Sequence, residues 1–317
     1  MAGTRVEETT RGCSPACDHD GGIETVIDDL PADVLAIVLR CLDGASLAAA
    51  GCASAGFREL ANDPDAWRAL CLQMWPSLRQ VVSCGGDGGY GALYADAFPF
   101  PAASPAVSSS LPARLVSAVD LHHNGVSIMS RVVETDASST WFLGSPFRVD
   151  ALVQEGFTSP SPVTPGDLRL SWILIDPATG AAVNVSSRRP VSIERRWVTG
   201  DSVARFTVVL GGGVALEAAV MCDERHGHIR EISLCAADAE GGGVSGQDGL
   251  AAVAAAMASA RQRRGAEEAS RQLYEKFAKG KRERKERKER REGIVDLCCS
   301  GVGAAAFLAF LVMLTFQ

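Results

Sequence analysis

Leu30-Pro31-Ala32-Asp33-Val34-Leu35, followed by Val38-Leu39 and Leu42 and closed further on by Trp67-Arg68-Ala69-Leu70-Cys71, organises the first quarter of this chain. Asp28 and Asp29 stand where a helix presents its positive dipole end, and Pro31 suits an early helical position. Leu30, Val34, Leu35, Val38, Leu39 and Leu42 recur at helical spacing, which makes one broad face apolar. Asp43-Gly44 breaks that helix. Ser46 then offers an N-cap to a second helix carrying Leu47, Ala50, Phe57 and Leu60. Asn62-Asp63-Pro64 makes the next break, and a third helix holds Trp67, Leu70, Cys71 and Met74 before ending at Trp75-Pro76. Three short helices offer one another too little surface to bury all these positions. The surplus implies a partner.

The chain of 317 residues has room for one small module and one medium domain. Its charge is divided. Residues 1–260 carry 17 Arg against 30 Asp and Glu, a net of −13, whereas residues 261–292 carry 14 Lys and Arg against 7 Glu, a net of +7. An acidic body speaks against general nucleic-acid binding. Residues 1–25 contain no apolar run and read as a disordered leader, not a secretory signal. A cytosolic body keeps the ten cysteines reduced and leaves the Asn184-Val185-Ser186 acceptor pattern unused. Cys13, Cys17 and His19 have no second ligand pair at zinc-module spacing, so no metal or other cofactor is expected.

Gly85–Ser110, rich in Gly, Ala, Pro and Ser, reads as a linker within 77–110. Beyond it the periodicity turns to alternation. Arg114–His122, Val126–Glu134, Phe147–Val153, Leu168–Ile175, Val191–Trp197, Arg205–Leu210, Val214–Cys222 and His228–Cys235 are strand-like, with turn signals such as Asn124-Gly125 between them. Eight such strands predict an antiparallel sandwich or barrel over 111–240, with Trp141, Trp172 and Trp197 in its core. His122, His123, His226 and His228 lie near strand ends and are expected at the surface. Gly241-Gly242-Gly243-Val244-Ser245-Gly246 spells G-x-G-x-x-G, but no βαβ unit follows and it reads as a linker. No catalytic motif stands in a suitable context, so a non-catalytic protein is expected.

From residue 247 to 292 the chain reads as a helical stem, basic in its second half, with Glu283–Arg287 and Glu286–Arg290 in the favourable i, i+4 order. Leu297–Phe316 follows without a charge, and twenty helical residues span about 30 Å, a bilayer's hydrocarbon thickness. Nine Lys and Arg between Lys279 and Arg291 flank it on the side expected to face the cytosol. Residues 294–316 are therefore expected to be a single transmembrane anchor at the C-terminal end, with the body in the cytosol and the endoplasmic reticulum the first candidate membrane. Cys298 and Cys299 at its edge are placed for palmitoylation, or are two ordinary apolar cysteines.

The N-terminal pattern resembles the F-box: Leu-Pro, an acidic residue, paired apolar residues, a Leu and a closing Trp. The match over 26–76 departs where Val-Cys-x-x-Trp gives way to Cys52-Ala53-Ser54-Ala55-Gly56-Phe57. Val119-Asp120-Leu121-His122, Arg131-Val132-Val133-Glu134-Thr135, Ser145-Pro146-Phe147-Arg148-Val149-Asp150 and Leu170-Ser171-Trp172-Ile173-Leu174-Ile175-Asp176-Pro177 extend the likeness, as does Ser187-Arg188-Arg189-Pro190-Val191. They look like a plant F-box subfamily with a β-rich middle and a hydrophobic C-terminal end. The resemblance implies an α+β protein: a three-helix F-box, a β-sandwich-like middle domain, a helical stem and one transmembrane helix. It implies that Leu30, Pro31, Val34, Leu35, Val38, Leu39, Leu42 and Trp67 dock on a Skp-type adaptor, which joins a cullin and a RING subunit in a ubiquitin ligase. The middle domain would recruit the protein to be ubiquitinated. A weaker likeness to phloem-lectin domains implies, as the alternative, a membrane-anchored and lectin-like binding module. Residues 1–275 contain no lysine; Lys276, Lys279, Lys281, Lys285 and Lys288 all lie in the stem. Either Arg has replaced Lys through codon bias, or a ligase receptor confines self-ubiquitination to its stem.

Overall fold

The computed structural model describes residues 30–81, 89–98, 110–153, 156–159, 162–239 and 241–259, with 272, 274–280, 282–284, 286, 287 and 290 of the stem. The leader with Cys13, Cys17 and His19, the apolar run 297–316 with Cys298 and Cys299, and Lys281, Lys285 and Lys288 lie outside the described residues. No helix among the described residues is long and apolar enough to cross a membrane.

Four helices, not three, open the structure: α1 (Ala32–Arg40), α2 (Gly44–Ala53), α3 (Ala55–Ala61) and α4 (Pro64–Met74). Ser54 divides the expected second helix. Its backbone is extended, at φ −148° and ψ 167°, and its hydroxyl accepts from the Phe57 amide at 3.2 Å. A serine that satisfies an orphan amide starts a new helix and does not continue the old one. Asp43, not Ser46, caps α2, accepting from the Ser46 amide at 2.7 Å. Asp63 caps α4, with Pro64 in the first turn.

The expected linker is partly folded. Pro76–Gln80 forms a 3₁₀ turn and Gly89–Ala97 forms α5. Tyr90, Leu93, Tyr94 and Phe98 fall at i, i+3, i+4 and i+8, an apolar stripe that outweighs the glycines around it.

The middle domain has ten strands: β1 (Arg114–His123), β2 (Val126–Asp136), β3 (Arg148–Leu152), β4 (Phe157–Thr158), β5 (Leu168–Ile175), β6 (Ala182–Asn184), β7 (Ser192–Arg195), β8 (Ser202–Val209), β9 (Ala215–Asp223) and β10 (His228–Ala237). All eight expected strands are present, joined by the short β4 and β6. They form two antiparallel sheets, β2-β1-β5-β6 and β3-β10-β9-β8-β7, with β4 paired to β10. Asn124 and Gly125 both have positive φ, as a two-residue hairpin turn between β1 and β2 requires.

Leu115, Val119 and Leu121 of β1 and Leu170, Trp172 and Leu174 of β5 face Phe206, Leu216, Val220 and Ile232 of the other sheet, closing a sandwich core. In chain order α6 (Thr140–Gly144) connects β2 to β3, and α7 (Gly246–Ser259) follows β10. Leu250, Val253, Ala256 and Met257 place α7 in the sandwich core, so the first part of the expected stem belongs to the β-domain. Gly246 and Gly249 permit this approach: a Cβ would lie 1.8 Å from the Phe142 carbonyl oxygen and 2.7 Å from the Phe147 ring. The expected linker 241–246 is thus a tightly packed entry, and Gly243 bridges to Ala237.

Trp172 is buried as expected, but Trp141 and Trp197 are exposed at 77% and 93%. Both lie outside the strand cores, one in the five-residue α6 and one in the turn after β7. His123 is buried, against expectation, and its Nε2 lies 3.3 Å from the Thr164 amide. Asn184 is also buried, its side-chain oxygen accepting from the Ser186 amide at 3.1 Å.

The four-stranded sheet is covered on its outer face too. Val116, Ala118, Ile173, Ile175 and Ala182 pack there against Trp75, Leu78, Leu93, Tyr94 and Ala97. Fully burying a side chain such as Leu78 or Leu93 stabilises by about 1.5–3 kcal/mol. One polar link crosses this contact. Ser77 donates its amide and hydroxyl to the Asp120 carboxylate, at 2.9 and 2.5 Å. Burial pushes the Asp120 carboxyl above its ordinary 3.8, opposed by hydrogen bonds from Ser77 and Ser130. A carboxyl raised in the folded state binds its proton more tightly there than in the unfolded chain. Its contribution to stability therefore falls as pH rises from 3.8 through the raised value. Asp120→Asn should remove that component from a plot of unfolding midpoint against pH. Asp120→Ala, which strips Ser77 of both acceptors, should cost about 1–3 kcal/mol in denaturant melts.

Candidate functional site

Helix α1 has two faces of different fate. Leu39 is buried with Leu47, Ala61 and Ala66, and Leu42, Phe57 and Leu70 pack against them as the small core of the helical unit. Leu30, Val34, Ile37 and Val38 point outward with 42%, 43%, 65% and 52% of their surface exposed. Val34, Ile37 and Val38 fall at i, i+3 and i+4 on one stripe of α1, and Leu30 stands exposed just before its N-cap Pro31. Aliphatic side chains gain nothing from water, and an exposed stripe of them marks a contact surface. Arg40 donates from Nε and a terminal nitrogen to one Asp63 oxygen, at 3.0 and 2.8 Å, tying the end of α1 to the cap of α4. That guanidinium holds the Asp63 carboxyl below its usual range.

The structure thus divides the residues expected to meet an adaptor. Leu30, Pro31, Val34 and Val38 are exposed, Leu35 and Leu42 half-buried, and Leu39 buried. Trp67 turns inward: its indole N–H donates to the Ala61 carbonyl at 2.7 Å and its ring lies 5.2 Å from that of Tyr94. Ile37 belongs to the exposed stripe and was not among the expected residues. Its position three after Val34 was the available signal.

Tyr94 is the hinge pin between the helical unit and the sandwich. Its ring lies 5.7 Å from Trp75 and stacks 4.9 Å from Phe98. A Cβ on Gly44 would come within 2.3 Å of the same ring, so α2 can begin there only with glycine. Burial, with the Asp43 charge second, pushes the Tyr94 hydroxyl up to about 12. Beyond Phe98, the Arg188 guanidinium lies 4.5 Å over the ring and donates to the Phe98 carbonyl. The exposed stripe on α1 is therefore carried on a helical unit that is packed firmly against the β-domain.

A family model described as F-box-like matches residues 27–73. The chain is 36% identical over 252 residues to Probable F-box protein At2g36090 of Arabidopsis thaliana, a match spanning 75% of each chain. The chain belongs to the plant F-box protein family. F-box protein At2g27310 of the same plant is 34% identical over 259 residues, covering 71% of this chain and 77% of the relative. Both likenesses run far beyond residues 27–73, so they take in part of the β-domain sequence as well. The rice protein named F-box protein GID2 is 38% identical over 85 residues, 24% of this chain and 40% of its own. No solved structure matches the chain.

Within the F-box, exposure separates the side chains the fold depends on from those it does not. Leu39→Ala should lower stability by about 2–5 kcal/mol. Ile37→Asp should shift it by less than about 0.5 kcal/mol. Thermal melts of the two variants beside the unaltered protein check both.

Proposed function

We propose that this F-box protein is the substrate-recognition subunit of a Skp–cullin–F-box ubiquitin ligase, tethered to a membrane. The observation that carries the reading is the exposed stripe Leu30, Val34, Ile37 and Val38, which lies inside the segment matched as F-box-like. An apolar stripe on a helix fits an apolar groove on a Skp-type adaptor. The adaptor in turn brings the cullin and RING subunits, and the β-domain over 111–240 recruits the protein to be modified. The chain itself supplies no catalytic step. Residues 294–316 form the anchor, with the body in the cytosol and the endoplasmic reticulum as the first membrane to examine. The uncharged run 297–316 and the basic flank before it support this. Self-modification falls on the stem, where Lys276 and Lys279 are exposed.

Co-purification with the adaptor tests the ligase reading. Ile37→Asp or Val38→Asp should weaken capture at least about tenfold while the melting midpoint holds. Undiminished capture would refute the interface. Deleting residues 294–317 should move the protein from the membrane pellet to the supernatant after carbonate extraction. Retention in the pellet would remove the anchor from the proposal.

A further inference from the structure

The exposed large apolar side chains fall into two groups and a few isolated positions. One group is the α1 stripe. The other is Ile193, Trp197 and Val198, exposed at 50%, 93% and 72%, in and just after β7. Every residue from 193 to 200 is exposed. We propose that β7 and its hairpin with β8 form the docking surface for an extended, acidic segment of the recruited protein. This rests on the reading of the β-domain as the recruiting part.

Three observations converge on that occupant. β7 is the last strand of its sheet, paired with β8 alone among the described strands, so its other backbone edge is open to an added strand. Ile193 pairs with Ala204, which is buried, yet is itself half exposed, so the apolar core of the sandwich opens at this edge. The charge here is also opposite to that of the body. Residues 1–260 have a net of −13, but Arg188, Arg189, Arg195 and Arg196 stand against only Glu194 between 187 and 198. Glu194 faces Arg205 at 3.4 Å, and Arg188 is engaged by Phe98. Arg189, Arg195 and Arg196 are exposed and form no ion pair among the described residues. Charges and a proline at an edge protect it from aggregation. That protection does not account for an indole held almost wholly in water beside Ile193 and Val198.

A strand-forming peptide with Asp or Glu side chains satisfies all three features. Its backbone extends the ladder, its apolar side chains meet Ile193 and Trp197, and its carboxylates meet the three arginines. Nucleic acid and anionic lipid would meet the same arginines, but neither extends a strand ladder at an open sheet edge.

The full chain in detergent, panned against a displayed library of random twelve-residue peptides, tests the proposal. Peptides rich in Asp and Glu should be enriched, and their binding should weaken with salt. Trp197→Ala and the pair Arg195→Glu, Arg196→Glu should each weaken binding of the enriched pool at least about tenfold. Since these side chains are exposed, melting midpoints should stay unchanged. No enrichment, no acidic preference, or a pool indifferent to these substitutions would overturn the proposal. So would tighter binding to phosphatidylserine vesicles or a single-stranded oligonucleotide than to the pool. Adaptor capture measured on the same samples keeps the two readings apart. Capture should survive the hairpin substitutions; if the unaltered chain itself captures no adaptor, the ligase reading fails while the peptide result stands.

Discussion

The four-stranded sheet is buried on both faces, and the rest of the molecule depends on that. Its inner face closes the sandwich through Leu170, Trp172 and Leu174. Its outer face carries Ile173 and Ile175 against Trp75, Leu78 and Tyr94. An antiparallel sheet of this kind could instead face water on one side. Here the second face is spent on seating the F-box. The burial, with the Ser77–Asp120 link inside it, makes the helical unit and the β-domain one packed body.

That rigidity bears on function. In the proposed role, an adaptor at one end and a target at another would be held at a set distance. Helix α5 and the Pro76–Gln80 turn both contribute to this. Tyr94 on α5 meets α2 at Gly44, α4 at Trp67 and the following turn at Trp75, while Phe98 is held under Arg188 of the β-domain. Aromatic rings suit the task because each brings a large buried area with few rotamers to order. The two surfaces left apolar and exposed, on α1 and on β7, are then carried at fixed positions on one frame.

Much of this was legible in the residues, and the failures have physical causes. The F-box was readable because its apolar spacing is strict. The strands were readable because alternation and Asn-Gly turn chemistry agree, and Leu168–Ile175 is found with the expected limits. The break at Ser54 was missed because a serine between small residues carries no periodic signal. Only the hydrogen bond to the Phe57 amide marks it as a cap. Helix α5 and the entry to α7 carry the signature of linkers, because Gly and Ala usually signal loose chain. In this fold Gly44, Gly246 and Gly249 are points of closest approach.

The α+β class, the F-box and the antiparallel character of the middle domain follow from local periodicity and turn chemistry in the chain. Which apolar residues meet a neighbour and which stand free depends on packing between segments far apart in the chain. Leu39 and Ile37 are two positions apart on one helix, equally apolar, and one is core while the other is exposed. Trp172 and Trp197 are equally hydrophobic, and one fills the sandwich while the other stands in water. Hydrophobicity drives a side chain toward some apolar surface. Whether that surface lies within this chain or on a partner depends on what the fold brings opposite it.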